Sequence, residues 1–270
     1  MLNLRKLLEA AGAIALATAG FGSAARADDA PAFAYTFNLG VQSDYRFRGI
    51  SQKTEDPAVQ GGTDLSYGIA YFGLWSSMID FGNDINNHNI APVELDIYGG
   101  IKPVLGPVTF DLGVIYYAYP GSKDTVIGGI PGSNETDYVE FKLGASGNPM
   151  KELTLGVTGY WSPDYTGETG SVFTVEGTAS YALPKVWVFD PSISARYGYQ
   201  KGEDAAYKAL IANTSNNYSY WDAGITLTVE KFSFDFRYVD TDISNAGSFC
   251  TGVVLQCDST FMFTAKATLP

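Results

Sequence analysis

Charged side chains set two residues apart are the groups in this chain with most chemistry to offer. Ser43-Asp44-Tyr45-Arg46-Phe47-Arg48 carries one carboxylate and two guanidinium groups at alternate positions. Side chains two apart on an extended strand share a face. Asp44, Arg46 and Arg48 are therefore expected as one cluster near the end of a strand, suited to holding ions or solutes. The same alternation recurs at Glu94 and Asp96, Glu140 and Lys142, and Asp235 and Arg237. Asp64, Asp111, Glu176, Arg196 and Asp222 stand singly on otherwise polar faces. These fourteen residues are the candidate lining of a polar interior. Mixed charges there can form a selective constriction, or they can pair across neighbouring strands and hold the wall together. Both readings stay open.

Catalytic chemistry is not expected. The one histidine, His88, sits among Asn86, Asn87 and Asn89. A nucleophile needs its base within hydrogen-bond reach, and a loop histidine is poorly placed for that. The chain has no P-loop, no dinucleotide glycine pattern after a strand and no paired-cysteine zinc signature. Asp80 and Asp84 lack the spacing of a calcium loop. No cofactor, no metal and no enzymatic activity are expected. Cys250 and Cys257 lie seven apart. In an exported chain they are expected to form one local disulfide.

The elements that must position these groups are strands. Between Phe33 and Arg48, odd positions carry Phe33, Tyr35, Phe37, Leu39, Val41, Ser43, Tyr45 and Phe47, and even positions are small, polar or charged. This predicts one strand over Phe33–Arg48, apolar on one face and polar on the other. Similar alternation is read at 59–69, 93–102, 108–117, 139–146, 153–161, 173–181, 193–199, 221–229, 232–238 and 261–269. A further strand at 72–76 has mixed faces, and 186–191 is ambiguous; a helical turn or two is expected at 205–211. The total is about 12 strands, all-β and antiparallel, the even number usual for single-chain bacterial barrels. No charge falls on the apolar faces, where a midplane Arg or Lys would cost roughly 2–4 kcal/mol.

The connections alternate in length. Long ones fall near 49–57, 79–92, 120–135, 163–170, 201–217 and 241–258, and short ones lie between them. Outer-membrane barrels put short turns on the periplasmic side and long loops outside. Aromatic residues gather where strands meet the long loops: Tyr45, Phe47, Tyr116, Tyr119, Trp161, Tyr197, Tyr199, Trp221, Tyr238 and Phe261. They are expected to form an interfacial belt.

The chain of 270 residues opens with Arg5 and Lys6, an apolar run and Ala25-Arg26-Ala27. That is the pattern of a secretory signal peptide, cleaved after Ala27, with one barrel domain over 28–270. The net charge of −12 excludes nucleic acid as a natural partner. The acids concentrate in the long loops, where they would attract cations to the entrance.

Ser43-Asp44-Tyr45-Arg46-Phe47-Arg48-Gly49-Ile50-Ser51-Gln52, with Pro57-Ala58-Val59-Gln60-Gly61-Gly62, Glu94-Leu95-Asp96-Ile97-Tyr98-Gly99-Gly100, Tyr119-Pro120-Gly121 and Ser162-Pro163-Asp164-Tyr165, resembles the TorF family of porins. That family is also catalogued as the uncharacterised Gcw_chp bacterial proteins. The resemblance implies an outer-membrane β-barrel of a Gram-negative bacterium with a porin role, and it carries no functional residues over. The chain ends Thr268-Leu269-Pro270, without the terminal aromatic usual in such barrels.

Strand pattern, loop lengths and charge placement together predict a transmembrane up-and-down barrel in the outer membrane. Its expected partners are outer-membrane lipid, the barrel assembly machinery and small polar solutes, with a preference for cations. The alternative is a closed barrel with a structural or surface-binding role. Whether Tyr98, Tyr117 and Tyr160 close the lumen discriminates the two.

Overall fold

A computed structural model describes residues 33–82, 91–122, 136–211, 215–243 and 256–270. The expected signal peptide, His88 and Cys250 lie outside the described residues. The elements are β1 (Phe33–Gln42), β2 (Arg46–Phe47), β3 (Ile50–Ser51), β4 (Ala58–Tyr67), β5 (Ala70–Met78), β6 (Val93–Ile101), β7 (Val104–Leu105) and β8 (Val108–Ala118). They continue as β9 (Tyr138–Gly147), β10 (Leu153–Ser162), β11 (Val172–Ala182), β12 (Asp190–Gly202), α1 (Ala205–Leu210), β13 (Asn217–Val229), β14 (Phe232–Thr241) and β15 (Thr260–Leu269).

Twelve of these strands form one closed antiparallel barrel, each paired with its neighbours in sequence. The ring closes where β1 meets β15, with Leu39 opposite Ala267 and Gln42 opposite Thr264. Closure satisfies both edges, which an open sheet would leave unpaired. Because successive strands run in opposite directions, connections fall at alternate rims. The long ones (43–57, 79–92, 119–137, 163–171, 203–216 and 242–259) share one rim, and the short ones share the other.

Period-two alternation turns one face of every strand outward. Leu39 (64%), Leu143 (59%) and Val157 (51%) are exposed there, as core residues of a water-soluble protein are not. Among the barrel strands, the outward-pointing charges are Lys201 and Asp240, both at the long-loop end. Such a surface is stable against lipid. The mixed strand resolves the same way: in β5 Phe72, Leu74 and Met78 point out, while Tyr71, Gly73, Trp75 and Ser77 point in.

Two expectations are corrected and one ambiguous stretch is placed. The first strand stops at Gln42 rather than Arg48, and the chain beyond it leaves the wall. The stretch at 186–191 is mostly a turn, with Val186 bridged to Phe189 and Trp187 at its tip. The aromatic belt keeps Tyr116, Trp161, Tyr197 and Phe261, which are exposed, but loses Tyr45 and Tyr119, which are buried, and Phe47, which packs against Tyr117 in the interior. The helical turn expected near 205–211 is α1.

Candidate functional site

The polar faces of the twelve strands surround a lumen that changes character along its length. Toward the short-turn rim, Thr36, Asn38, Asp64, Tyr71, Tyr98, Asp111 and Lys142 are partly exposed. Toward the long-loop rim, Gln42, Glu94, Asp96, Tyr117, Glu140, Tyr160, Glu176, Gln200 and Tyr220 are buried. A barrel of 8 strands is about narrow enough for side chains to fill, and one of 16–18 leaves a channel. Twelve strands fall between, and here a loop segment helps fill one end.

That segment is the chain after β1. Ser43 stays on the wall, exchanging hydrogen bonds with Phe263 at 2.8 and 2.9 Å. The chain then folds into the lumen as a two-stranded hairpin, with Arg46 opposite Ser51 and Phe47 opposite Ile50. Its two-residue turn places Arg48 at φ 50° and Gly49 at φ 85°. Positive φ at both central positions is the geometry of a tight hairpin turn whose twist suits its strands. A side chain on Gly49 would also collide with Thr241 Cγ2, so glycine is required there twice over.

The hairpin is braced at its base by its own polar groups. Arg46 donates to Asp44 at 2.7 Å, to Glu55 at 2.9 Å and to the Asp258 carbonyl at 2.6 Å. Ser51 donates to the other Asp44 oxygen at 2.7 Å. Burial pushes the Asp44 carboxyl above its ordinary range, and the Ser51 and Arg46 hydrogen bonds pull it back only in part. Tyr45 packs edge-on against Trp75 and donates to Glu94 at 2.7 Å.

Its tip crosses the barrel. Arg48 donates both terminal nitrogens to the two oxygens of Glu140 at 2.8 and 2.7 Å, and one also reaches Gln200 at 2.9 Å. Its guanidinium lies 4.6 Å from the Phe47 ring centre and 5.0 Å from that of Tyr160. Its carbonyl accepts from Tyr218. Following the wall from β1 through β4, β5, β6 and β8, strands β9 and β10 are the fifth and sixth neighbours in a ring of twelve. Glu140 and Tyr160 thus stand on the wall opposite the hairpin's root. The arginine and glutamate side chains are 3% and 1% exposed. A planar, two-pronged pair of this kind fixes orientation as well as charge.

Aromatic rings pack around the latch. Tyr117 and Tyr138 stack at 4.4 Å, Tyr138 meets Tyr165 at 4.6 Å, and Phe47 meets Tyr117 edge-on. Tyr165 comes from the 163–171 loop and Tyr207 from α1, and both are buried. Gln200 donates to the Tyr207 hydroxyl at 2.9 Å. Three loop segments therefore meet inside the long-loop end of the lumen.

The wall charges form two further networks. Arg196 bonds Asp222 at 2.7 Å and Glu176 at 3.3 Å, and Arg237 bonds Asp222 and, at 3.0 Å, Asp235. Nearer the short turns, Lys142 pairs with Asp111 at 2.8 Å, Tyr71 donates to Asp111 at 2.7 Å, and Tyr98 donates to Asp64 at 2.6 Å. Glu94 and Asp96 have no basic partner among the described residues, and Asp96 Oδ1 is buried without a hydrogen bond. Among the described residues no group of three metal-binding side chains converges.

Of the fourteen expected lining residues, eleven point inward from the wall: Asp64, Glu94, Asp96, Asp111, Glu140, Lys142, Glu176, Arg196, Asp222, Asp235 and Arg237. Asp44, Arg46 and Arg48 face the interior too, but from the hairpin and not from a strand of the wall. Strand alternation could not separate these cases, because the hairpin continues the same period. Gln200 and Tyr207 also belong to the site, though neither carries a charge that marks it in the sequence. Gln200 was reachable from the β12 alternation, but nothing local marks Tyr207 as folding inward. Cys257 is buried, and Cys250, its expected partner, lies outside the described residues.

The family model described as "Bacterial protein of unknown function (Gcw_chp)" matches residues 26–269. No curated protein matches the chain. Among solved structures, a NanC porin is similar with a TM-score of 0.53 and 12% identity, over 88% of this chain and 100% of that one. A KdgM porin gives 0.52 and 7% identity, over 87% and 98%. The same porin in complex with disordered oligogalacturonate gives 0.50 and 8%, over 88% and 99%. At identities this low the likeness shows a shared fold alone, a closed antiparallel β-barrel.

Proposed function

The chain belongs to the Gcw_chp family of bacterial proteins, and from that premise we propose that it is an outer-membrane porin passing small polar solutes. The observation that carries this reading is the two-sided barrel: apolar outside over every strand and polar inside, with a half-exposed lumen at the short-turn end. The likeness to TorF porins adds to it. The N-terminal leader, cleaved after Ala27, directs export, and the barrel assembly machinery inserts the chain with its long loops outside. Transport needs no catalytic group. The acidic loops favour cations.

In this conformation the outer half of the lumen is occupied by the 43–57 segment. Passage therefore requires the hairpin to swing aside, and Arg48–Glu140 is the contact that must break. The occupied lumen also favours a second reading, a closed barrel with a structural or surface-binding role. Planar-bilayer recording separates them. Purified protein is expected to give discrete conductance steps, more often once the Arg48 contact is removed. Silence from both wild type and Arg48→Ala, with folding verified by a heat-dependent gel shift, would leave the closed barrel as the function.

A further inference from the structure

The seat of Arg48 is built almost wholly from the barrel wall. Glu140 supplies both carboxylate oxygens and Gln200 a third acceptor. Thr174 donates to that same glutamine oxygen at 3.0 Å, which fixes its direction. Tyr117 donates to Glu140 at 3.1 Å, and Tyr160 offers its ring to the guanidinium. None of these groups depends on the hairpin for its place in a strand. A buried carboxylate with a fixed amide acceptor and an aromatic wall is complementary to a planar cation.

Charge around the seat points the same way. Asp96 pairs across the sheet with Tyr117, on the strand beside Glu140, and Glu94 is two residues from Asp96. Lys142, the nearest base along β9, is engaged with Asp111. With Arg48 withdrawn, Glu94, Asp96 and Glu140 would have no salt-bridge partner among the described residues. Such a site would need a cation from elsewhere.

We propose that this seat is a binding subsite for guanidinium-bearing solutes, with Arg48 as a tethered occupant that the solute displaces. The hairpin then links cargo to opening: a cation that takes Glu140 releases the segment that fills the outer lumen. The inference deepens the porin reading, and rests on it for that link. Tethering gives Arg48 a high local concentration, so free solute competes poorly until the arginine is removed. Apparent affinity is lowered by the fraction of time the seat is taken.

Calorimetric titration with agmatine, an alkylguanidinium, tests the subsite in detergent-solubilised full-length protein. Tetramethylammonium at equal ionic strength is the control cation. Arg48→Ala is expected to bind agmatine at least tenfold more tightly than wild type, and Arg48→Ala/Glu140→Gln to lose that gain. Arg48→Gln carries the same expectation should the alanine variant fail the gel-shift test of folding. Equal affinity of wild type and the Arg48 variants for agmatine overturns the proposal, as does a gain that survives Glu140→Gln or is matched by tetramethylammonium. The titration needs no current. Agmatine binding without any conductance would refute the porin reading and leave the subsite, whereas conductance without the gain would refute the subsite alone.

Discussion

Arg48 and Glu140 are nearly free of solvent, and neither would be stable there alone. Taking one charge out of water costs several kcal/mol, which its partner must offset. Removing either side chain leaves the other buried and unpaired, at a cost on the order of 3–5 kcal/mol. Arg48→Met and Glu140→Met should each lower the urea midpoint of the folded barrel. The double variant should fall by less than the sum, with a coupling of roughly 0.5–3 kcal/mol. Strict additivity would mean that the two side chains do not act as a pair. The sequence places both residues on polar faces, but 92 positions separate them, and no local pattern names one as the other's partner.

Where a strand ends depends on tertiary contacts as well as on its own period. Residues 43–48 keep the alternation of β1, with Tyr45 and Phe47 on one parity and Asp44, Arg46 and Arg48 on the other. That pattern suits a wall strand against lipid and a lumen hairpin against tyrosines equally well. Ser43 is the last residue bonded to the wall, through Phe263, and beyond it the turn at Arg48-Gly49 takes positive φ, which a wall strand does not. An alanine at position 49 would be held in a left-handed conformation costing about 1–2 kcal/mol, besides meeting Thr241. Gly49→Ala should therefore loosen the hairpin and raise the protease sensitivity of 43–57 while the barrel keeps its gel shift. Unchanged protection would show that the turn does not hold the segment in place. Register was legible in the wall strands whose faces alternate cleanly, because each shows lipid to one parity only; β5, with mixed faces, was not. Leu39, 64% exposed, and Asn38, turned inward, test it directly. Leu39→Arg should impair assembly into lipid by roughly 2–4 kcal/mol, and Asn38→Arg should be tolerated. Equal yields of folded protein from the two would contradict the facing.

At the scale of the whole molecule, the alternation of long and short connections announced the closed up-and-down barrel, and the β1–β15 pairing completes it. The filling of its outer half was not announced, because loops carry no period that says which way they fold. Tyr165 and Tyr207 come from such loops and end buried beside the hairpin. Charge adds a molecular expectation, since the net charge of −12 is concentrated toward the loops. Reversal potentials across a potassium chloride gradient should show cation preference that fades above ~0.15 M salt, where exposed charges are screened within about 8 Å. Anion preference would place selectivity elsewhere. The most direct test of a lumen closed by its own first loop is single-channel recording of wild type beside Arg48→Ala in the same lipid. The variant should open far more often than wild type, with the same unit conductance. Indistinguishable open probabilities, in two barrels shown to be folded, would contradict the hairpin as the closure.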